Sequence, residues 1–211
     1  MLMDLYGGRC YSSPTMDTKA GRAMNEKFPG TTGSLGMAIS EAVEVALEDE
    51  KTHYTLGSVL NHVMLHQTII SEETLLQLKK FGEDQADYVF GCAGGGSNLA
   101  GLSFPFIREL IAGNCTTKIV AVEPASCPSM TEGEFRYDYG DVAHTTPLMK
   151  MYTMGADFVP DPIHAGGLRY HGMAPMVSHA HHLGLLQSIA LPQETCLLYT
   201  SDAADDTPCV D

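Results

Sequence analysis

The chain has 211 residues and 44% hydrophobic content, enough for one large or two modest domains with a globular core. Its net charge of -14 argues against nucleic acid as a partner and disfavours an anionic lipid surface. No apolar run is long enough to span a bilayer. The start, Met1-Leu2-Met3-Asp4-Leu5, lacks the basic and long apolar regions of a signal peptide, so a cytoplasmic location is expected. The six cysteines show no CxxC pair or zinc spacing and read as mostly reduced, with Cys92 a small buried hydrophobe.

Residues 1–6 read as the end of a helix stopped by Gly7-Gly8, and residues 9–12 as a short strand ended by Pro14. Residues 19–32 are polar and read as a loop with at most one helical turn. Ser34 is placed to cap a helix with Leu35, Ile39, Ala42, Val43, Ala46 and Leu47 at helical spacing. Glu41, Glu44 and Glu48 fall largely on its other face and are expected to be solvated. Tyr54-Thr55-Leu56 reads as a short strand closed by Gly57-Ser58. Residues 61–81 predict a helix, in one piece or two. His62 and His66 have metal-ligand spacing there, but with no obvious third ligand they read as core or polar-contact histidines.

Residues 86–92 form an apolar run, expected as the central strand. Ala93-Gly94-Gly95-Gly96-Ser97-Asn98 follows, and then a helix over 99–111 that Pro105 should kink or break. Glycines let backbone N–H groups approach a ligand closely. The first helical N–H groups lack intrahelical partners, and the helix dipole favours an anion there. The stretch therefore reads as a phosphate cradle, the plainer alternative being a glycine-rich turn. Lys118-Ile119-Val120-Ala121-Val122-Glu123 reads as a second buried strand ended by Pro124, which makes a βαβ crossover with parallel strands. Glu123 stands where a dinucleotide fold holds a ribose, but GxGxxG requires a glycine at 99, where this chain has Leu99.

Residues 127–145 read as an irregular surface excursion, 148–152 as helical and 156–159 as a strand. The proline-bounded run from Pro160 to Gly172 gathers His164, Arg169 and His171 among glycines; it lines a site or is an ordinary long loop. Residues 173–183 predict a helix, with His179, His181 and His182 on a solvated side, and 187–191 a last strand. Residues 201–208 are acidic and aperiodic, which predicts disorder.

Five segments together carry a family resemblance. They are Gly33-Ser34-Leu35-Gly36-Met37-Ala38-Ile39-Ser40-Glu41-Ala42, Leu56-Gly57-Ser58-Val59-Leu60-Asn61-His62-Val63, Gly94-Gly95-Gly96-Ser97-Asn98, Arg136-Tyr137-Asp138-Tyr139-Gly140-Asp141, and Ile163-His164-Ala165-Gly166-Gly167-Leu168-Arg169-Tyr170-His171-Gly172. The sequence resembles the second-type tryptophan synthase β chains, which are fold-type-II pyridoxal-phosphate enzymes, over residues 1 to about 195. The resemblance implies an α/β fold with an open, mostly parallel sheet flanked by helices, a two-domain fold represented incompletely. Residues 1–64 would be the C-terminal part of the smaller domain and 65–196 most of the phosphate-binding domain. Residues 197–211 depart from the family, resemble translated sequencing-adapter read-through and are expected to be disordered.

The chemistry implied is β-replacement, in which L-serine or O-phosphoserine loses its leaving group and indole adds to give L-tryptophan. By resemblance, Gly94, Gly95, Gly96, Ser97 and Asn98 hold the phosphate of pyridoxal 5'-phosphate, and Gly166, Gly167 and Arg169 contact the substrate. Carbonyls of Gly94, Tyr170 and Gly172 match positions that bind a monovalent cation in relatives. None of the lysines follows a histidine, as the family's Schiff-base lysine does, so the chain is expected to be an internal fragment, inactive alone. A homodimer and a tryptophan synthase α chain are the implied protein partners. Two other readings stay open: another fold-type-II lyase, such as a threonine synthase or serine dehydratase, and a non-catalytic nucleotide-binding module.

Overall fold

The computed structural model describes residues 2–163 and 169–195. The chain forms two compact units, one of Met1–Thr55 with Tyr139–Leu148 and the other of Leu56–Asp138 with Met149–Asp211. The expected domain boundary after Met64 falls within a helix of the second unit. Among the described residues no helix is long and apolar enough to cross a membrane.

In the first unit, α1 (Leu2–Leu5) ends where the Gly7 and Gly8 N–H groups donate to the Asp4 and Met3 carbonyls, as the paired glycines predict. Residues 9–12 and 54–56 form no strand. A helix, α2 (Lys19–Lys27), replaces the polar loop expected over 19–32. Thr18 caps it by accepting from the Gly21 N–H at 2.9 Å, and a neighbouring helix adds further acceptors. The N–H groups of Lys19 and Ala20 each donate to the Glu44 carboxylate at 2.7 Å. That glutamate lies on α3 (Leu35–Glu48), which Ser34 caps by accepting from the Met37 N–H.

The acidic face of α3 is thus only partly solvated: Glu48 is exposed, as expected, whereas Glu44 is half-buried and Glu41 buried. Glu41 is 6% exposed and accepts from the Thr15 N–H at 2.9 Å and the Thr15 and Thr18 hydroxyls at 2.7 and 2.6 Å, with the Ser13 hydroxyl as a fourth donor. Burial pushes its carboxyl up, but these donors outweigh burial and hold it below the ordinary value. Asp141 behaves alike: burial raises its carboxyl, and the hydroxyls and N–H groups of Thr145 and Thr146 bring it below the usual carboxylate range. It also accepts from the Ser40 hydroxyl of α3 at 2.9 Å.

The second unit is built on a parallel sheet of β1 (Tyr88–Cys92), β2 (Lys118–Pro124) and β5 (Gln187–Leu191), in the order β1-β2-β5. Val89 stands opposite Ile119, and Val120 opposite Gln187. Among the described strands β1 is thus an edge strand and β2 the central one. β1 alternates, with Val89 and Gly91 buried while Tyr88, Phe90 and Cys92 are exposed. Cys92 is consequently a surface thiol rather than a buried one. The helical stretch over 61–81 is two helices, α4 (Asn61–Gln67) and α5 (Ile69–Lys80). His66 places Nδ1 2.6 Å from the His62 carbonyl, so the pair makes a local contact on α4.

α6 (Ser97–Ile111) runs through Pro105 without a break. Proline removes the N–H that would bond the carbonyl four residues earlier, here Gly101. The Ser71 hydroxyl of α5 donates to that carbonyl at 2.6 Å and makes good the loss. The supposed surface excursion contains β3 (Glu134–Tyr139), which pairs with β4 (Leu148–Thr153), a strand where a helix was expected; residues 156–159 form none. On α7 (Pro175–His182), His179 and His182 are exposed as expected, His182 also stacking on Phe135 at 4.4 Å, but His181 is half-buried with its ring 3.1 Å from the Leu186 carbonyl. The core joins Val89, Ile119 and Ala121 of the sheet to Leu99, Ala100, Phe106 and Ile107 of α6 and Val177 and Ala180 of α7.

Candidate functional site

β1 delivers the chain to Ala93, whose N–H still bonds the Val122 carbonyl at 2.8 Å, and the glycine turn begins there. Gly96 takes φ +103°, a left-handed conformation available to glycine and costly for other residues. A side chain at Gly96 would also meet Met173 Sδ at 2.8 Å and the Ala174 Cβ at 3.1 Å. At Gly95 a Cβ would lie 2.8 Å from both Ser58 Oγ and Val59 Cγ2. The Gly95 carbonyl accepts from the Ala174 N–H at 3.0 Å. The turn is thus held between the segment leading into α4 and the segment leading into α7.

This packing leaves the donors of the turn open. The first backbone bond of α6 runs from the Ala100 N–H to the Gly96 carbonyl at 2.9 Å. Among the described residues, none of the six consecutive backbone N–H groups of residues 94–99 has an acceptor. An ordinary helix leaves its first few N–H groups unpaired; here the run is longer because it includes the turn itself. The positive end of the α6 dipole lies at the same place. Asn98 is exposed, and its amide donates to the Cys92 carbonyl at 3.3 Å, which anchors that side chain beside the turn. The Ser97 hydroxyl donates to the Gly57 carbonyl at 3.5 Å and accepts from the Gln67 amide at 3.4 Å. The arrangement suits a phosphate, since glycines give close approach and the unpaired N–H groups supply donors without counter-charge.

The rival use of Glu123 does not match its surroundings. Its carboxylate is 1% exposed and accepts from the Met130 N–H at 3.1 Å, the Thr131 N–H at 2.8 Å and the Thr131 hydroxyl at 2.7 Å. It holds the turn after β2 instead of presenting itself to a ribose.

The other predicted residues lie as follows. Arg169 donates from Nη2 to the Pro160 carbonyl at 2.9 Å and so ties together the two sides of the proline-bounded loop. His164, Gly166 and Gly167 lie outside the described residues, as does the tail over 197–211. Tyr170 is 2% exposed, and its ring meets that of His171 at 4.5 Å. Gly172 is bridged to Thr153. Because the Met173 N–H bonds the Tyr152 carbonyl and the Ala174 N–H bonds Gly95, the structure brings the Gly172 segment against the glycine turn. Among the described residues no cluster of His, Cys, Asp and Glu forms a metal site.

All seven lysines are exposed. Lys19 pairs with Glu48 at 2.6 Å. Lys118 reaches the Tyr88 hydroxyl at 3.3 Å, at the end of β1 remote from the glycines. Lys150 lies over the Phe135 ring at 4.8 Å.

A family model described as pyridoxal-phosphate dependent enzyme matches residues 1–173. The chain belongs to the pyridoxal-phosphate dependent enzyme family. Within that family it is 53% identical over 194 residues to "Tryptophan synthase beta chain 2" of Methanothermobacter thermautotrophicus, covering 92% of this chain and 45% of the relative. It is 52% identical over 193 residues to the protein of the same name from Methanosarcina mazei, covering 92% and 43%. The Aquifex aeolicus protein of that name is 51% identical over 196 residues, again 92% and 45%. The chain thus spans less than half the length of these curated relatives. Its α/β architecture, with a parallel sheet packed against helices, agrees with membership of the family.

The contribution of residues 56–59 was hidden from sequence reasoning, although Leu56-Gly57-Ser58-Val59 stood out as a motif. Its contact with Gly95 is a tertiary fact that no local pattern announces. The same holds for Ala174.

Proposed function

We propose that this chain is the phosphate-holding part of an enzyme that replaces the hydroxyl of L-serine, or the phosphate of O-phosphoserine, with indole to form L-tryptophan. The open N–H groups of residues 94–99 are the observation that carries the reading. The names of its relatives, tryptophan synthase beta chain 2, support tryptophan formation as the reaction. Pyridoxal phosphate, when bound, supplies an electron sink for the substrate's α-carbon.

This chain's own residues bind and orient. Gly94, Gly95 and Gly96 admit the phosphate to the backbone, and the N–H groups at Ser97 and Asn98 add donors at the positive end of α6. Arg169 closes the loop that carries Gly166 and Gly167, and this loop is assigned to the substrate. The carbonyls of Gly94, Tyr170 and Gly172 are assigned to a monovalent cation. The unit of residues 56–138 and 149–195 is most of the phosphate-binding domain, and the other unit belongs to the smaller one. The exposed placements of the seven lysines support an anchoring lysine outside these 211 residues. The complete protein is assigned as a homodimer, with an α chain as the source of indole.

Two assays test the proposal. The 211-residue chain with added pyridoxal phosphate, indole and serine or O-phosphoserine should form no tryptophan. Transplanted into the Methanothermobacter relative in place of the 194 matching residues, the same segment should support tryptophan formation. A transplant that releases pyruvate from serine but does not incorporate indole would point to a different lyase.

A further inference from the structure

The glycine turn rests on a strained seat. Val59 has φ +68°, a conformation that a β-branched residue rarely adopts. The Leu60 N–H donates to the Ser58 carbonyl at 2.7 Å and closes a γ-turn centred on Val59. The side chain is 1% exposed. Such a conformation persists only where the surroundings over-determine it, and it concentrates where geometry serves a site. Here the surroundings are the phosphate turn. Val59 Cγ2 and Ser58 Oγ approach the α-carbon of Gly95 so closely that a Cβ there would be 2.8 Å from each. Gly57 is joined to Ser97 through the hydroxyl bond at 3.5 Å. Residues 57–60 therefore touch the turn at two points, while Met173 and Ala174 press on Gly96 from another segment.

We propose that Val59 is a positioning residue: its forced γ-turn pushes a methyl group against Gly95 and sets the aim of the N–H groups of residues 94–99 at a phosphate monoester. This rests on the phosphate reading of the turn. A glycine at position 59 would relieve the strain but lose the methyl contact, so the chain spends backbone energy to keep that methyl in place.

The test uses ligands that lack an aldehyde and so cannot condense with surface lysines. Pyridoxine 5'-phosphate and pyridoxine are titrated calorimetrically into the 211-residue chain and into its Val59→Ala and Val59→Thr variants. The wild-type chain should prefer the phosphate ester. Val59→Ala should cut that preference about tenfold, the loss of one well-aimed charge-assisted hydrogen bond. Val59→Thr, whose hydroxyl takes the position of Cγ2 at nearly the same size, keeps that contact and should retain the preference. A merely structural role would lower the melting temperature of Val59→Ala and leave the ratio of the two affinities unchanged, which overturns the proposal. If Val59→Ala does not fold, Val59→Asn tolerates the left-handed backbone and also lacks the methyl. A wild-type chain with no preference for the phosphate ester overturns the phosphate reading and this proposal together. A preference that survives in Val59→Ala overturns only the role of Val59.

Discussion

Two turns in the second unit follow parallel strands, and they treat their backbone donors in opposite ways. After β2, the N–H groups of Met130 and Thr131 converge on the buried carboxylate of Glu123. After β1, the N–H groups of residues 94–99 converge on no group of the described chain. In the first turn the sequence supplies its own anion, and the result is structural. In the second the donors are gathered, rigidly packed from both sides and left without an acceptor. A buried donor without a partner is costly, so such a run is kept where an outside anion completes it. The difference separates a turn that holds the fold from one that we propose holds a ligand.

The largest effect expected from this contrast is at Glu123. Glu123→Ala leaves the buried Met130 N–H and Ser129 hydroxyl without their acceptor and should cost about 2–3 kcal/mol, read as a fall in denaturant midpoint with unchanged slope. A cost under about 1 kcal/mol would mean that water replaces the carboxylate, and the contrast would lose its structural half. Gly96→Ala comes next. The positive φ and the close Met173 sulfur should together cost about 2 kcal/mol, and phosphate-ester binding should fall with stability.

Glu41 offers a third case of a supplied anion, in the first unit. Its folded carboxyl lies below the ordinary value of 4.5, so the stabilisation is complete above that value and is lost as pH falls through the lowered folded value. Glu41→Gln should cost about 1–2 kcal/mol at neutral pH, and the gap from the wild type should close in acid. A gap independent of pH would show that packing rather than charge carries the site. The smallest stability effect is expected at Asn98, which is exposed. Asn98→Ala should change stability by less than about 0.5 kcal/mol, yet weaken pyridoxine 5'-phosphate binding. A variant that binds like the wild type would confine recognition to the backbone.

The strand–turn–helix–strand unit was legible because each of its signals is short-ranged. An apolar run gives β1, three glycines the turn, helical spacing α6, and Lys118 to Glu123 the second strand. What stayed hidden depends on partners distant in sequence. α2 is polar overall, and its start is held by Glu44, whose role as a helix-end acceptor cannot be read from its own spacing. Pro105 signals a break, and only the Ser71 hydroxyl, thirty-four positions earlier, explains why none occurs. Cys92 sits in an apolar run, but β1 is an edge strand with one exposed face, so alternation decides its exposure. Val59 carries no sequence mark of its left-handed backbone, because residue type argues against it.

The most direct test is to follow the backbone amides of the 15N-labelled chain by NMR while pyridoxine 5'-phosphate is added. Saturable shifts should concentrate at residues 94–99, with the Met130 and Thr131 amides unmoved because Glu123 already occupies them. Saturable shifts elsewhere, with residues 94–99 unchanged, would contradict the phosphate reading of the turn.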